Sequence, residues 1–303
     1  MKTYFTLIAL FISVVVCAQT ARDTVVSRIY NAYIQDDSDY QVLKKDIETL
    51  KHLDAKYNPE ILNRHLETMF HAKDLNFFKS SLTLLVLNYG YNVSYLSGNE
   101  NYYQAIIAGD LAVWFKKMYL KNHPIWLEKN LDKLVDIHTL NGLHEKDQNV
   151  HKALLEVYKH GQLNETQRTF VKELDDDYIL KNAETLVKIS KSIGSMPTGN
   201  SFALIQKPYD IIEMHNFQQN FATFFDMIYP FYKASYLNKD LSIIKFRNID
   251  SIKFFADKNQ IFGLLSIEDI PEYLRKDLNI QSIESADSNL TRQYRKELNW
   301  TAL

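Results

Sequence analysis

Glycine and proline account for only 8 and 6 of the 303 residues. These residues end helices and turn strands, so their scarcity favours long uninterrupted segments over many short strands. Within those segments apolar residues recur at three- and four-residue steps, the period of a helix face. Val42, Leu43, Ile47, Leu50 and Leu53 form one such face, and Ile61, Leu62, Leu66, Met69 and Phe70 form the next. Asn58-Pro59 separates them, with Pro59 suited to the first turn of the second helix. The pattern predicts an all-α chain. N-terminal helical hairpins with tetratricopeptide-like spacing come first, and a helical C-terminal domain follows.

The punctuation that does occur sets the expected boundaries. Residues 75–90 read as an apolar helix closed by Gly90 as C-cap. Tyr103–Leu120 reads as its partner, broken by Asn122-His123-Pro124. A short helix is expected over Leu127–Leu140, with a turn at Asn141-Gly142. Helix then runs to about Ile193, interrupted at Gly161 and restarted by a cap at Asn164. Gly194 to Gly199 is the clearest loop. Residues 211–236 read as an aromatic-rich helix. Residues 241–257 read as helix rather than strand, because Ile243, Phe246, Ile249, Ile252 and Phe255 repeat at three. Residues 267–300 read as charged helix. The division expected is a leader over 1–18, a helical-hairpin region over 19–140 and a helical domain over 141–303.

The leader is read from Lys2, an apolar stretch from Phe5 to Val16 broken only by Thr6 and Ser13, and the small residues around Ala18. That pattern predicts a signal peptide leaving Gln19 as the mature start, and a periplasmic or secreted bacterial protein. Cys17 is the chain's one cysteine. Lipidation there is disfavoured, because Val14 to Val16 stand where Leu and a small residue are preferred. Cleavage after Ala18 removes the thiol, which excludes disulfides, thiolate catalysis and cysteine-ligated metal. No second apolar run of ~18 residues follows, so no transmembrane segment is expected after cleavage.

Net charge is −2 and no basic stripe is present, so nucleic acid lacks its electrostatic footprint. The chain carries 19 Tyr, 17 Phe and 3 Trp. Helix-packing bulk accounts for such side chains, and a carbohydrate-stacking surface is the functional alternative. His144, Asp147 and His151 fall at i, i+3 and i+7 on one helix face, a combination that suits zinc; otherwise they belong to a solvated face. Gln148 lies on the same face. Gln206, His215, Gln218 and Gln260 form a second polar set, able to bind amide or sugar groups through directional hydrogen bonds, or else to cap loops. The acidic run Glu173, Asp175, Asp176 and Asp177 lacks the alternation and turn glycine of a calcium loop and reads as solvated helix. No Gly-x-Ser-x-Gly elbow or phosphate loop occurs.

From about His144 to Ile283 the chain resembles a family of bacterial domains of unknown function. That family shows Asp-Gln, then Gly-Trp-Pro, Gln-His, an Asp-Arg pair and Gln-x-Tyr-Gly-Thr-Gln. Asp147-Gln148 matches the first motif. Gly194-Ser195-Met196-Pro197 matches the second without its Trp, and Gln206-Lys207 the third without its His. Arg247 to Asp250 stands where the Asp-Arg pair would be. Gln260-Ile261-Phe262-Gly263 matches the last motif, with Leu264-Leu265 replacing its end. The resemblance implies a helical domain and points to Asp147, Gln148, Gln206 and Gln260 as ligand-binding candidates, to which the second polar set adds His215. The expected role is a non-catalytic binding or scaffold protein of the bacterial envelope, recognising a protein or small-molecule ligand. The alternative is a hydrolase or other enzyme, metal-dependent if His144, Asp147 and His151 hold zinc.

Overall fold

A computed structural model describes residues 20–34, 39–93, 96, 98–205, 207–270, 272–277, 279–285 and 288–300. The leader, Cys17 and Gln206 lie outside the described residues. The described chain is all-α apart from two two-residue strands. It divides into two compact units: Asn31–Asp240, and Leu241–Leu303 with the N-terminal segment ending at Tyr30.

The larger unit takes up α1 (Ala21–Ile34) near its end. It continues through α2 (Tyr40–Asp54), α3 (Pro59–Arg64), α4 (Leu66–His71), α5 (Leu75–Tyr89), α6 (Tyr103–Ile107) and α7 (Ala112–Lys129). Local chemistry sets these boundaries. The Asp39 side chain caps α2, Asn58 caps α3 with Pro59 in its first turn, and Asp74 caps α5. Helix α5 is the hub, packing against α3, α4 and α7. Its Phe78, Leu82, Leu85 and Val86 are wholly buried.

The second half of this unit holds α8 (Leu134–His160), α9 (Glu165–Ile193), α10 (Gly199–Phe202), α11 (Asp210–Gln219) and α12 (Phe221–Leu237). A capping box at Asn164 and Gln167 starts α9, and left-handed Gly194 ends it. The bond from Arg168 to the Tyr158 carbonyl and the side-chain pairs His151/Asp175 and Asp147/Asn182 nest about the 161–164 turn, so α8 and α9 run antiparallel. Helices α11 and α12 pack across α9, and α11 also reaches α8. The loop from Gly194 to Gly199 is buried from Ser195 onward and tied down by a bond from Met196 N–H to Ser235 Oγ.

In the smaller unit, α13 (Ile243–Asp257) leads to β1 (Asn259–Gln260), α14 (Glu272–Asp277), β2 (Glu284–Ser285) and α15 (Ser288–Glu297). The strands pair in parallel, Asn259 with Glu284 and Gln260 with Ser285. Phe246, Phe262 and Trp300 meet edge to face at its core.

Several expected boundaries move, and the helix expected over Tyr103–Leu120 divides into α6 and α7. Helix α7 runs through Pro124 rather than stopping before it. The carbonyl that Pro124 leaves without a donor belongs to Leu120, on the exposed side, where water can replace the bond. Helix α8 runs through Asn141-Gly142; an interior glycine costs about 1 kcal/mol, which the packing of a long helix offsets. The boundary expected at 140/141 therefore falls inside a helix of the larger unit. Residues 211–236 divide at Asn220 into α11 and α12, and 267–300 fold as short pieces rather than one helix.

Candidate functional site

A buried polar group of the larger unit lies where α8, α9 and α11 meet. Asp147, on α8, is 0 % exposed. Its Oδ1 accepts from Asn182 Nδ2 of α9 at 3.0 Å. Its Oδ2 lies 2.8 Å from His215 Nδ1 of α11 and 3.5 Å from Gln148 Nε2. The His215 contact is an ion-pair distance without the linear N–H···O alignment of a good hydrogen bond. Burial works against ionisation of Asp147, but His215, Asn182 and Gln148 outweigh it and hold the carboxyl below its ordinary range.

One turn further along α8, His151 Nδ1 meets Asp175 Oδ2 of α9 at 2.9 Å, with both side chains partly exposed. The His151 and His215 rings lie 4.5 Å apart between centroids. Two imidazoles thus face each other, each against its own carboxylate. Asn216, beside His215, donates to the carbonyls of Ile179 and Ile212 at 3.0 and 2.9 Å and ties α11 to α9.

The structure brings Asp147, Gln148, His151 and His215 together. It does not bring in His144, which is exposed on α8. His144 shares a face with His151 but lies seven residues, about 10 Å, before it along the α8 axis, so it stays outside the cluster. Among the described residues, no group of three or more His, Cys, Asp or Glu side chains is arranged to hold a metal ion. Gln218 is exposed at the end of α11. Gln260 belongs to the smaller unit, where its carboxamide accepts from Leu265 N–H at 2.9 Å and donates to Leu265 O at 3.3 Å. Both ends of that amide clamp the Gln260–Leu265 turn. The same turn wraps Asp250, which accepts N–H bonds from Ile261, Phe262 and Leu264.

Sequence reasoning missed the role of Asp175, reading its acidic run as solvated helix, and did not count Asn182 among the site residues. The signal was the antiparallel hairpin: with the turn placed at 161–164, residues 151 and 175 fall opposite each other. No family model, curated protein or solved structure matches this chain.

Proposed function

We propose that this chain is an exported, non-catalytic binding or scaffold protein of the bacterial envelope, acting on a partner protein or small ligand. One observation carries the non-catalytic part. Both oxygens of Asp147 are taken by Asn182, His215 and Gln148. A general base needs an open position for the proton it removes, so Asp147 is not placed to be the base itself; the carboxylate instead joins three helices. The accessible edge, formed by Gln148, His151 and Asp175, offers hydrogen bonds to a ligand. The leader pattern at residues 1–18 supports export, and among the described residues no helix is long and apolar enough to cross a membrane.

A second reading, a hydrolase or other enzyme, rests on the facing imidazoles. His151 with Asp175 is the more exposed of the two pairs and would serve as the base, with zinc as a further requirement in the metal-dependent form.

Generic ester, phosphate and glycoside substrates separate the readings. Neither the wild-type protein nor His151→Ala should turn them over above background. Turnover that His151→Ala abolishes would establish the enzyme reading. Asp147→Ala should cost about 3–5 kcal/mol in urea unfolding, because it leaves His215 and Asn182 without their buried partner. A loss below about 1 kcal/mol would remove the structural role. Sequencing protein from the cell envelope should find Gln19 first; full-length protein in the cytosol would overturn export.

A further inference from the structure

A second feature of the larger unit lies apart from the α8–α9–α11 cluster. An open groove of about 510 Å³ runs between the end of α2, the turn after it, α5 and the α10 turn. Lys51, Lys56, Tyr57, Asn88, Tyr89 and Asn200 supply its polar and aromatic lining, and no acidic residue lines it. The charges on its lining are the Lys51 and Lys56 ammonium groups, with the Asp240 carboxylate behind the Asn200 turn. Lys51 Nζ sits 4.9 Å over the Tyr57 ring, so an aromatic face rather than a carboxylate holds this ammonium.

The neutral groups are oriented. Tyr89 donates its hydroxyl to Asn200 Oδ1, which fixes the carboxamide and leaves its NH2 as a donor at the groove. The turn that carries Asn200 is itself held. Buried Asp240 accepts from the N–H groups of Asn200 and Ser201 and from the Ser201 hydroxyl. Gly199, at φ +63°, lies so close to Asp240 that a Cβ would meet its carboxylate at 2.7 Å. Two non-glycine residues of the groove, Ala55 and Ala203, are held in the left-handed region at φ 57° and 55°. Both close helices, Ala55 after α2 and Ala203 after α10, at roughly 1 kcal/mol each.

We propose that this groove binds a small carbohydrate carrying a carboxylate or phosphate. Lys51 and Lys56 meet the anionic group, Asn88 and Asn200 the hydroxyls, and the part of the Tyr57 ring that Lys51 leaves uncovered borders the sugar. The site shares no residue with the α8–α9–α11 cluster, so its fate is separate from the function proposed there.

Isothermal titration of the full chain with glucuronate, glucose 6-phosphate, glucose and inorganic phosphate tests it. The two charged sugars should bind, glucose and phosphate alone at least about tenfold more weakly. Binding of the charged sugars should weaken at high salt, as for exposed charges. The double variant K51M/K56M should lose about tenfold in affinity for both, two exposed pairs together contributing about one decade, with its unfolding temperature unchanged. Asn200→Asp keeps the acceptor for Tyr89 but places a negative charge in the groove, and should reduce binding at least as much. Failure of both charged sugars to bind overturns the proposal. So does phosphate alone binding as tightly as the phosphosugar, or unchanged affinity in both variants.

Discussion

Asp250 shows how a single carboxylate organises a turn. It is 0 % exposed and accepts from the N–H groups of Ile261, Phe262 and Leu264 at 2.8, 2.8 and 3.0 Å. Burial pushes its carboxyl up to about 6, against the pull of those three N–H groups and of Arg295. A raised value means that the folded state holds the proton more tightly than the unfolded chain. The stability contributed by Asp250 is therefore greatest below its ordinary value of 3.8, falls as pH rises towards 6 and is level above it. The fall amounts to about 3 kcal/mol, two units at about 1.4 kcal/mol each. Carbon-detected NMR should find the Asp250 carboxyl titrating near 6; titration near 4 would refute this. Asp250→Asn should remove the pH dependence yet cost about 1–3 kcal/mol at pH 7, because an amide NH2 turned towards backbone donors leaves one unsatisfied. The residues of this turn were visible in the sequence as a motif, Gln260 to Gly263. Their purpose was not, because the acceptor they surround lies ten residues upstream on a different element.

At the scale of elements, two glycines separate what local pattern can and cannot reveal. Gly90 ends α5 at φ +65°, and a Cβ there would meet the Trp126 ring of α7 at 2.5 Å. Trp126 is in turn anchored by its indole N–H to Ala203 O at 2.8 Å and packs with Phe202 and Leu204. Gly90→Ala should therefore cost more than the roughly 1 kcal/mol of a left-handed alanine, because the ring must also move, and overpacking adds about 1–3 kcal/mol. Gly142 is the opposite case. It lies inside α8 with nothing within 4 Å of a built Cβ. Gly142→Ala should stabilise the protein by about 0.5–1 kcal/mol in chemical denaturation. A destabilisation would mean that α8 turns at Asn141-Gly142 after all. Gly90 was legible as a cap because capping is local. The continuity of α8 was not, because packing against α9 overrides the local turn preference of Asn141-Gly142. The same limit applies to the polar cluster: Asp147 and His151 stood out on one face and His215 apart, whereas the pairing of Asp147 with Asn182 and of His151 with Asp175 depends on the antiparallel register of α8 and α9.

For the whole molecule, the helical period is repeated in nearly every segment, which is why the all-α class could be read from sequence alone. The grouping into units could not, since it joins the two ends of the chain. The Arg22 guanidinium, on α1, donates to the Leu241 carbonyl at 3.1 Å across 219 residues of sequence. Arg22 is 7 % exposed and lies 3.7 Å from wholly buried Asp23. Nothing in either segment's periodicity announces that partnership, because a single long-range bond leaves no repeating trace. Arg22→Ala should leave the Leu241 carbonyl buried without this donor and Asp23 without this nearby charge, at a cost of about 3–5 kcal/mol. Arg22→Lys should recover only part of it, since an ammonium lacks the planar fork that serves a carbonyl and a carboxylate together. Urea unfolding of the two variants beside the wild type measures both losses. Equal stability of all three would show that the N-terminal helix is not held to the C-terminal unit through this side chain.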